Sequence, residues 1–268
     1  MKLLFSEYRS DYDHYIFPYA VWAFPEDGES PAQFFACGFL PSSRDLSRFY
    51  LCRSVRVRLK DFKPTSENRR ILRKGEGITS RLVSRSEFAY TPEKRAAFKT
   101  YADIRFGKDV LSFEKLDNLF TSPITSHLLV FSDAASGREI GVVTLYLEKP
   151  GLAYYYHAFY ELEYFPRNIG MFMMTRAVEA FRDLGFEFIY LGSCYSHNAL
   201  YKFQFPGAEF FNGVRWSNNL KELKHLIRRE DQPVTAHLLE TAAYREEFWA
   251  EATPAQVANF GLRVPLVG

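Results

Sequence analysis

The sequence predicts an α+β protein, a mixed and mostly antiparallel sheet flanked by helices, with a smaller N-terminal subdomain. Three observations predict it. The second half carries three β-rich runs joined by short turns, which makes an antiparallel meander. An amphipathic helix follows, from about Asn168 to Leu184. The short apolar run after it, Phe186–Leu191, is reached through that helical crossover and is therefore parallel to its predecessor.

Taken in order, residues 1–50 are aromatic-rich and read as irregular, with turn signals at Pro25-Glu26-Asp27-Gly28 and Pro41-Ser42-Ser43. Ser54 to Leu59 alternates, Val55, Val57 and Leu59 on one face and Arg56 and Arg58 on the other, the pattern of a half-buried strand with a cationic outer face. Ser80–Val83 is a further short strand. Thr91-Pro92-Glu93 opens a helix, with Thr91 as N-cap, Pro92 at the first helical position and Glu93 at the positive end of the dipole. That helix runs to about Phe106, where Gly107 ends it, and a shorter one follows at Ser112–Phe120.

The meander is His127–Ser132, Glu139–Leu147 and Leu152–Tyr160. In the next helix Met171, Met174, Val178 and Phe181 share one face, Thr175, Glu179 and Arg182 face outward, and Gly185 caps the end. A strand-like stretch at Phe210–Trp216 and helices after Asn219 complete the chain. The expected division is an N-terminal α/β subdomain over residues 1–90 and a second domain over 91–268.

Composition narrows the function classes. A chain of 268 residues buries a core without metals or disulfides. The cysteines, Cys37, Cys52 and Cys194, are odd in number and form no CxxC, and no histidines pair at HxxxH spacing, so neither a disulfide scaffold nor a metal centre is expected. The apolar start Leu3-Leu4-Phe5 is too short for a signal peptide, and no run reaches the roughly 18 apolar residues of a membrane span, so a cytoplasmic protein without a membrane partner is expected. The net charge of +2 hides an asymmetry: Arg53–Lys74 holds nine Lys and Arg against Asp61 and Glu67. Such a stretch suits a polyanion such as RNA, or is a solvated charged strand and helix.

Three antiparallel strands, a helix and a parallel strand form the core order of the GNAT acyltransferase fold, in which the last two strands splay beside the helix start. Phe165-Pro166-Arg167-Asn168-Ile169-Gly170 lies there; helix-start N–H groups favour an anion, and Arg167 adds charge. Acetyl-CoA users of that fold carry a small residue where this chain has Phe172, which weakens a coenzyme A reading.

Several blocks then point to one donor. Cys52-Arg53-Ser54-Val55-Arg56-Val57 continues through Phe62-Lys63-Pro64-Thr65-Ser66-Glu67-Asn68-Arg69-Arg70. Ser136-Gly137-Arg138 with Ile140-Gly141-Val142, then Gly151-Leu152-Ala153-Tyr154-Tyr155 through Phe159-Tyr160, follow. Ile169-Gly170-Met171-Phe172, and Tyr190-Leu191-Gly192 with Tyr201-Lys202-Phe203-Gln204-Phe205-Pro206, complete the set. In order and spacing these resemble the arginyl/leucyl-tRNA–protein transferases over residues 35–216. The departures are that only Cys37 and Cys52 stand where the family has paired cysteines, that Glu161-Leu162 replaces an Asp-Pro, and that Ser193–Asn198 replaces an aromatic, Pro-Gly segment.

The resemblance implies aminolysis of an ester: the free N-terminal amine of an acceptor protein or peptide attacks the aminoacyl carbonyl of charged tRNA, with Arg or Leu transferred. The aminoacyl-tRNA is a co-substrate and no cofactor is expected. Glu161 or Glu163 would accept the amine proton or hold the donor's amino group. Tyr201 would donate to the leaving oxygen and Lys202 would stabilise negative charge. Arg56, Arg58, Arg69, Arg70 and Arg73 are candidates for tRNA phosphates or an acidic acceptor, and Arg167, Asn168, Gly170, Tyr190 and Gly192 for the substrate cleft. Strand-end carboxylates, a packed tyrosine and surface cations are the structural alternatives. Two other functions stay open, an acyl-CoA N-acyltransferase and a non-catalytic RNA- or peptide-binding relative.

Overall fold

The computed structural model describes residues 1–108 and 110–259. The chain begins with β1 (Lys2–Glu7), β2 (Tyr19–Phe24), the short helix α1 (Pro31–Ala36), β3 (Phe39–Pro41) and β4 (Phe49–Leu51). The strands form an antiparallel sheet in the order β1-β2-β4-β3, so residues 1–50 are not the irregular stretch expected. Phe34 and Phe35 of α1 pack on Phe49, Tyr154 and Tyr190, tying this sheet to the larger one.

The larger sheet starts with β5 (Ser54–Arg58), followed by α2 (Ser66–Lys74), β6 (Ile78–Ser84), α3 (Pro92–Arg105) and α4 (Phe113–Thr121). The meander is β7 (His127–Asp133), β8 (Glu139–Glu148) and β9 (Leu152–Tyr160), and α5 (Ile169–Asp183) leads to β10 (Phe188–Ser193). A hairpin of β11 (Ala208–Phe211) and β12 (Trp216–Ser217) precedes α6 (Leu220–Arg229), α7 (Ala242–Phe248) and α8 (Pro254–Ala258). The eight strands run β12-β11-β5-β10-β9-β8-β7-β6. Among the described residues of this sheet, only β9 and β10 pair in parallel, as the crossover through α5 requires. This is the expected mixed, mostly antiparallel sheet flanked by helices. Strands β5 and β6, both before residue 90, are hydrogen-bonded into this sheet.

Helices cover both faces. On one, Tyr90, Phe98 and Phe120 of the α3–α4 unit stack in series, with ring centroids 4.4 and 5.3 Å apart, and Phe98 reaches Phe159 of β9 at 4.9 Å. On the other lies α5: a Cβ on Gly141 of β8 would stand 3.1 Å from Met173. Helix α5 is held between the sheet and α2. Thr175, expected to face outward, is therefore buried and returns its hydroxyl to the Met171 carbonyl at 2.8 Å. A Cβ on Gly75, at the end of α2, would fall 1.9 Å from the Phe172 ring, so only a hydrogen fits between the two helices there.

Candidate active site between two diverging strands

Strands β9 and β10 pair through Leu152/Phe188, Ala153/Ile189 and Tyr154/Tyr190, and then part. Beyond Tyr154, β9 keeps β8 on one edge and loses β10 on the other. Two features open the gap. A bulge opposite Thr144 and Leu145 makes Tyr156 an extra residue in β9, which bends the strand. On the other side Gly192, at φ +85°, turns β10, whose register against β5 shifts between Tyr190 and Ser193.

The result is a cleft of about 800 Å³. Its floor is the first turn of α5 with the Asn168 before it, including Gly170 and Met171; the end of α3 and the residue after it contribute Arg105 and Phe106, and the segment after β10 contributes Tyr201 and Lys202. Helix α5 starts from Asn168 in the left-handed conformation, φ 59°. Gly170 keeps that turn close to Tyr160, where a Cβ would approach the phenol ring within 3.3 Å.

Tyr201 and Lys202 are brought together on the cleft's lip, beside Gly192. Tyr201 is 44% exposed; partial desolvation pushes its phenol above its ordinary pKa, and like any phenol it is a donor at neutral pH. Burial lowers the Lys202 pKa, and its ammonium donates to the Ser193 carbonyl at 2.7 Å. The thiols nearby are inert: burial pushes Cys52 up to about 12 and raises Cys194.

Glu161 and Glu163 stand at the end of β9 as expected but line a second cavity beside α3 rather than the cleft. Arg138 binds both, reaching Glu161 at 2.9 Å. Burial and the neighbouring Glu163 carboxylate push Glu161 up, against the pull of Arg138; Glu163, more exposed, is held down by Arg138.

The arginines divide. Arg56 does not face solvent, which corrects the cationic outer face expected of β5. That strand is central in the sheet, and Arg56 lies between the rings of Phe188 and Trp216, 4.0 and 3.8 Å from their centroids. It donates to Glu209 at 2.9 Å and to the buried Tyr190 hydroxyl at 3.4 Å. Arg58 shares Glu209. Arg167 does not point over the first turn of α5; it donates to the Lys74 and Glu76 carbonyls and caps the end of α2. Arg69, Arg70 and Arg73 are exposed along α2, Arg70 paired with Glu67.

Among the cleft residues that the sequence does not single out is a histidine. His157 of β9 lines the cleft among Phe106, Tyr156 and Phe159. Burial lowers its pKa to about 4, with Arg44 adding to the effect, so the imidazole is neutral at physiological pH. A lone histidine in an apolar strand carries no signal of such a site; its meaning depends on where β10 leaves β9. Among the described residues no group of three or more His, Cys, Asp and Glu is arranged to hold a metal, and no helix is long and apolar enough to cross a membrane.

Over 177 residues the chain is 29% identical to an enzyme of Cereibacter sphaeroides, the match covering 62% of each chain. The chain is similar to aspartate/glutamate leucyltransferases. Another, from a Ruegeria species, is 29% identical over 212 residues, covering 76% of this chain and 74% of the relative. The chain thus spans about 62% of the length of the first of these curated relatives. No family model matches. Among solved structures, L-PGS from Bacillus licheniformis overlays on 53% of this chain and 46% of its own, at a TM-score of 0.40 and 16% identity. FemX overlays on 53% and 52%, at 0.39 and 11%.

Proposed function

We propose that this protein is an aminoacyl-tRNA–protein transferase, which moves an amino acid, Leu or Arg, from charged tRNA to the N-terminal amine of an acceptor protein. The observation that carries the reading is the cleft between β9 and β10 with Tyr201 and Lys202 on its lip, in a chain whose curated relatives are leucyltransferases. The acceptor's amine, with an ordinary pKa of about 8, attacks the ester carbonyl in its neutral form, so holding the two reactants together does most of what is needed. A C–N bond forms, the bond between the acyl carbon and the ribose oxygen breaks, and the amine's proton is balanced by protonation of the departing ribose oxygen.

The residues suit those steps. Tyr201, whose phenol is protonated at neutral pH, is fitted to hydrogen-bond the leaving oxygen, and the Lys202 ammonium to face the charge that develops on the tetrahedral carbonyl oxygen. His157, neutral and partly screened from water, offers a hydrogen-bond acceptor to the attacking amine. The exposed Arg69 and Arg73 on α2, with Lys60 and Lys63 in the preceding turn, offer sites for tRNA phosphates. Coenzyme A is the poorer donor here, because Phe172 takes the small-residue position and Arg167 is turned onto α2. The test is transfer of labelled Leu or Arg from charged tRNA to peptides beginning with Asp or Glu. Absence of transfer from every aminoacyl-tRNA overturns the proposal.

A further inference from the structure

A second cavity, of about 470 Å³, lies on the α3 side of the sheet and abuts the cleft. Tyr101 and Tyr160 line both, their rings edge to face with centroids 4.8 Å apart. Its walls are apolar: Phe98 of α3, Ile140 and Val142 of β8, and Leu162. Its polar groups are different in kind from those of the cleft, which presents Arg105 and Lys202. Three carboxylates, Glu139, Glu161 and Glu163, line this cavity. Lys94 meets Glu139 at 2.5 Å and Arg138 bridges the other two, which leaves one carboxylate charge without a cation among these five groups.

We infer that this cavity seats the transferred aminoacyl group, its α-ammonium against Glu161 and its uncharged aliphatic side chain against Phe98, Ile140 and Val142. The inference rests on the transfer reading and deepens it. An ammonium supplies the missing cation and makes a charge-assisted hydrogen bond. An acidic acceptor terminus would meet net negative charge here and is better received by Arg105 in the cleft. A guanidinium-bearing side chain would lie against Ile140 and Val142 as a second added cation, when the α-ammonium already takes the cavity's one unmatched negative charge. The ester then hangs from the cavity past Tyr101 and Tyr160 into the cleft, where the amine arrives.

The probe is L-leucinamide, titrated by calorimetry against the full chain, with 2-hydroxy-4-methylpentanamide as the analogue in which a neutral hydroxyl replaces the ammonium. Leucinamide is expected to bind about tenfold or more tightly than the hydroxy analogue, as a charge-assisted hydrogen bond allows. Glu161→Gln is expected to erase that preference, and Ala97→Trp, which fills the cavity from an exposed position on α3, to weaken both ligands about tenfold or more. Equal affinity for the two amides, no binding at all, or binding untouched in Ala97→Trp overturns the inference, as does tighter binding of Asp-Ala amide in this cavity. If leucinamide binds in the expected pattern while no charged tRNA supports transfer, the cavity assignment stands and the transfer reading falls.

Discussion

The Lys202 ammonium lies 2.7 Å from the Ser193 carbonyl, so the cation on the cleft's lip is anchored to the strand whose departure from β9 creates the cleft. Lys202→Met keeps the side chain's bulk and removes the charge. Transfer is expected to fall roughly 100- to 1,000-fold, the usual cost of removing a group that faces developing negative charge. The drop should appear mainly in kcat, with the circular dichroism spectrum unchanged. Loss of Tm without loss of kcat would assign Lys202 to packing instead.

Arg56 is a structural cation. Arg56→Ala leaves the buried Glu209 with Arg58 alone as its cation and empties the space between Phe188 and Trp216, and is expected to cost about 3–5 kcal/mol in urea unfolding. Arg69→Ala and Arg73→Ala, on the exposed face of α2, should each stay within about 0.5 kcal/mol. The pair should instead reduce the slope of log K against log salt for tRNA by roughly 2. Unchanged tRNA affinity in the double variant would remove α2 from the RNA surface.

Stability should fall on mild acidification because of His157. Its folded pKa is depressed, to about 4, while in the unfolded chain it is near 6.5. Between those values the unfolded state binds the extra proton, so stability is full above about pH 6.5 and is lost as pH falls towards 4. The loss is on the order of 2–3 kcal/mol, and His157→Phe should flatten that part of the curve. A wild-type stability profile flat from pH 7 to 4.5 would contradict the burial.

Contact between α2 and α5 is tight enough to be tested with one methyl group. Gly75→Ala drives a carbon into the Phe172 ring and should destabilise by about 1–3 kcal/mol, an overpacking cost. The companion Gly75→Ala, Phe172→Leu should recover part of it. An unchanged midpoint in the single variant would mean that the helices separate freely.

The meander, the crossover helix and the parallel strand were legible because their signals are local: short turns, period-two or period-3.6 patterning, and a terminal glycine at Gly185. Strand β1 was not, because most of its residues are exposed and leave no alternation to read. Arg56 was misread for the opposite reason. The alternation of β5 is real, but its second face is covered by Phe188 and Trp216, residues over a hundred positions away. Glu161 and Glu163 were placed at the strand end correctly; that they turn towards α3, away from Tyr201 and Lys202, follows from tertiary packing that no local pattern encodes.

The account depends on the gap between β9 and β10 receiving the aminoacylated end of a tRNA. A crystal structure with 3′-leucylamino-3′-deoxyadenosine, whose amide resists transfer, tests this most directly. The account predicts the adenosine-linked carbonyl between the two strands, within hydrogen-bonding reach of Tyr201 or Lys202. A ligand bound outside that gap, or coenzyme A occupying it in competition, would contradict it.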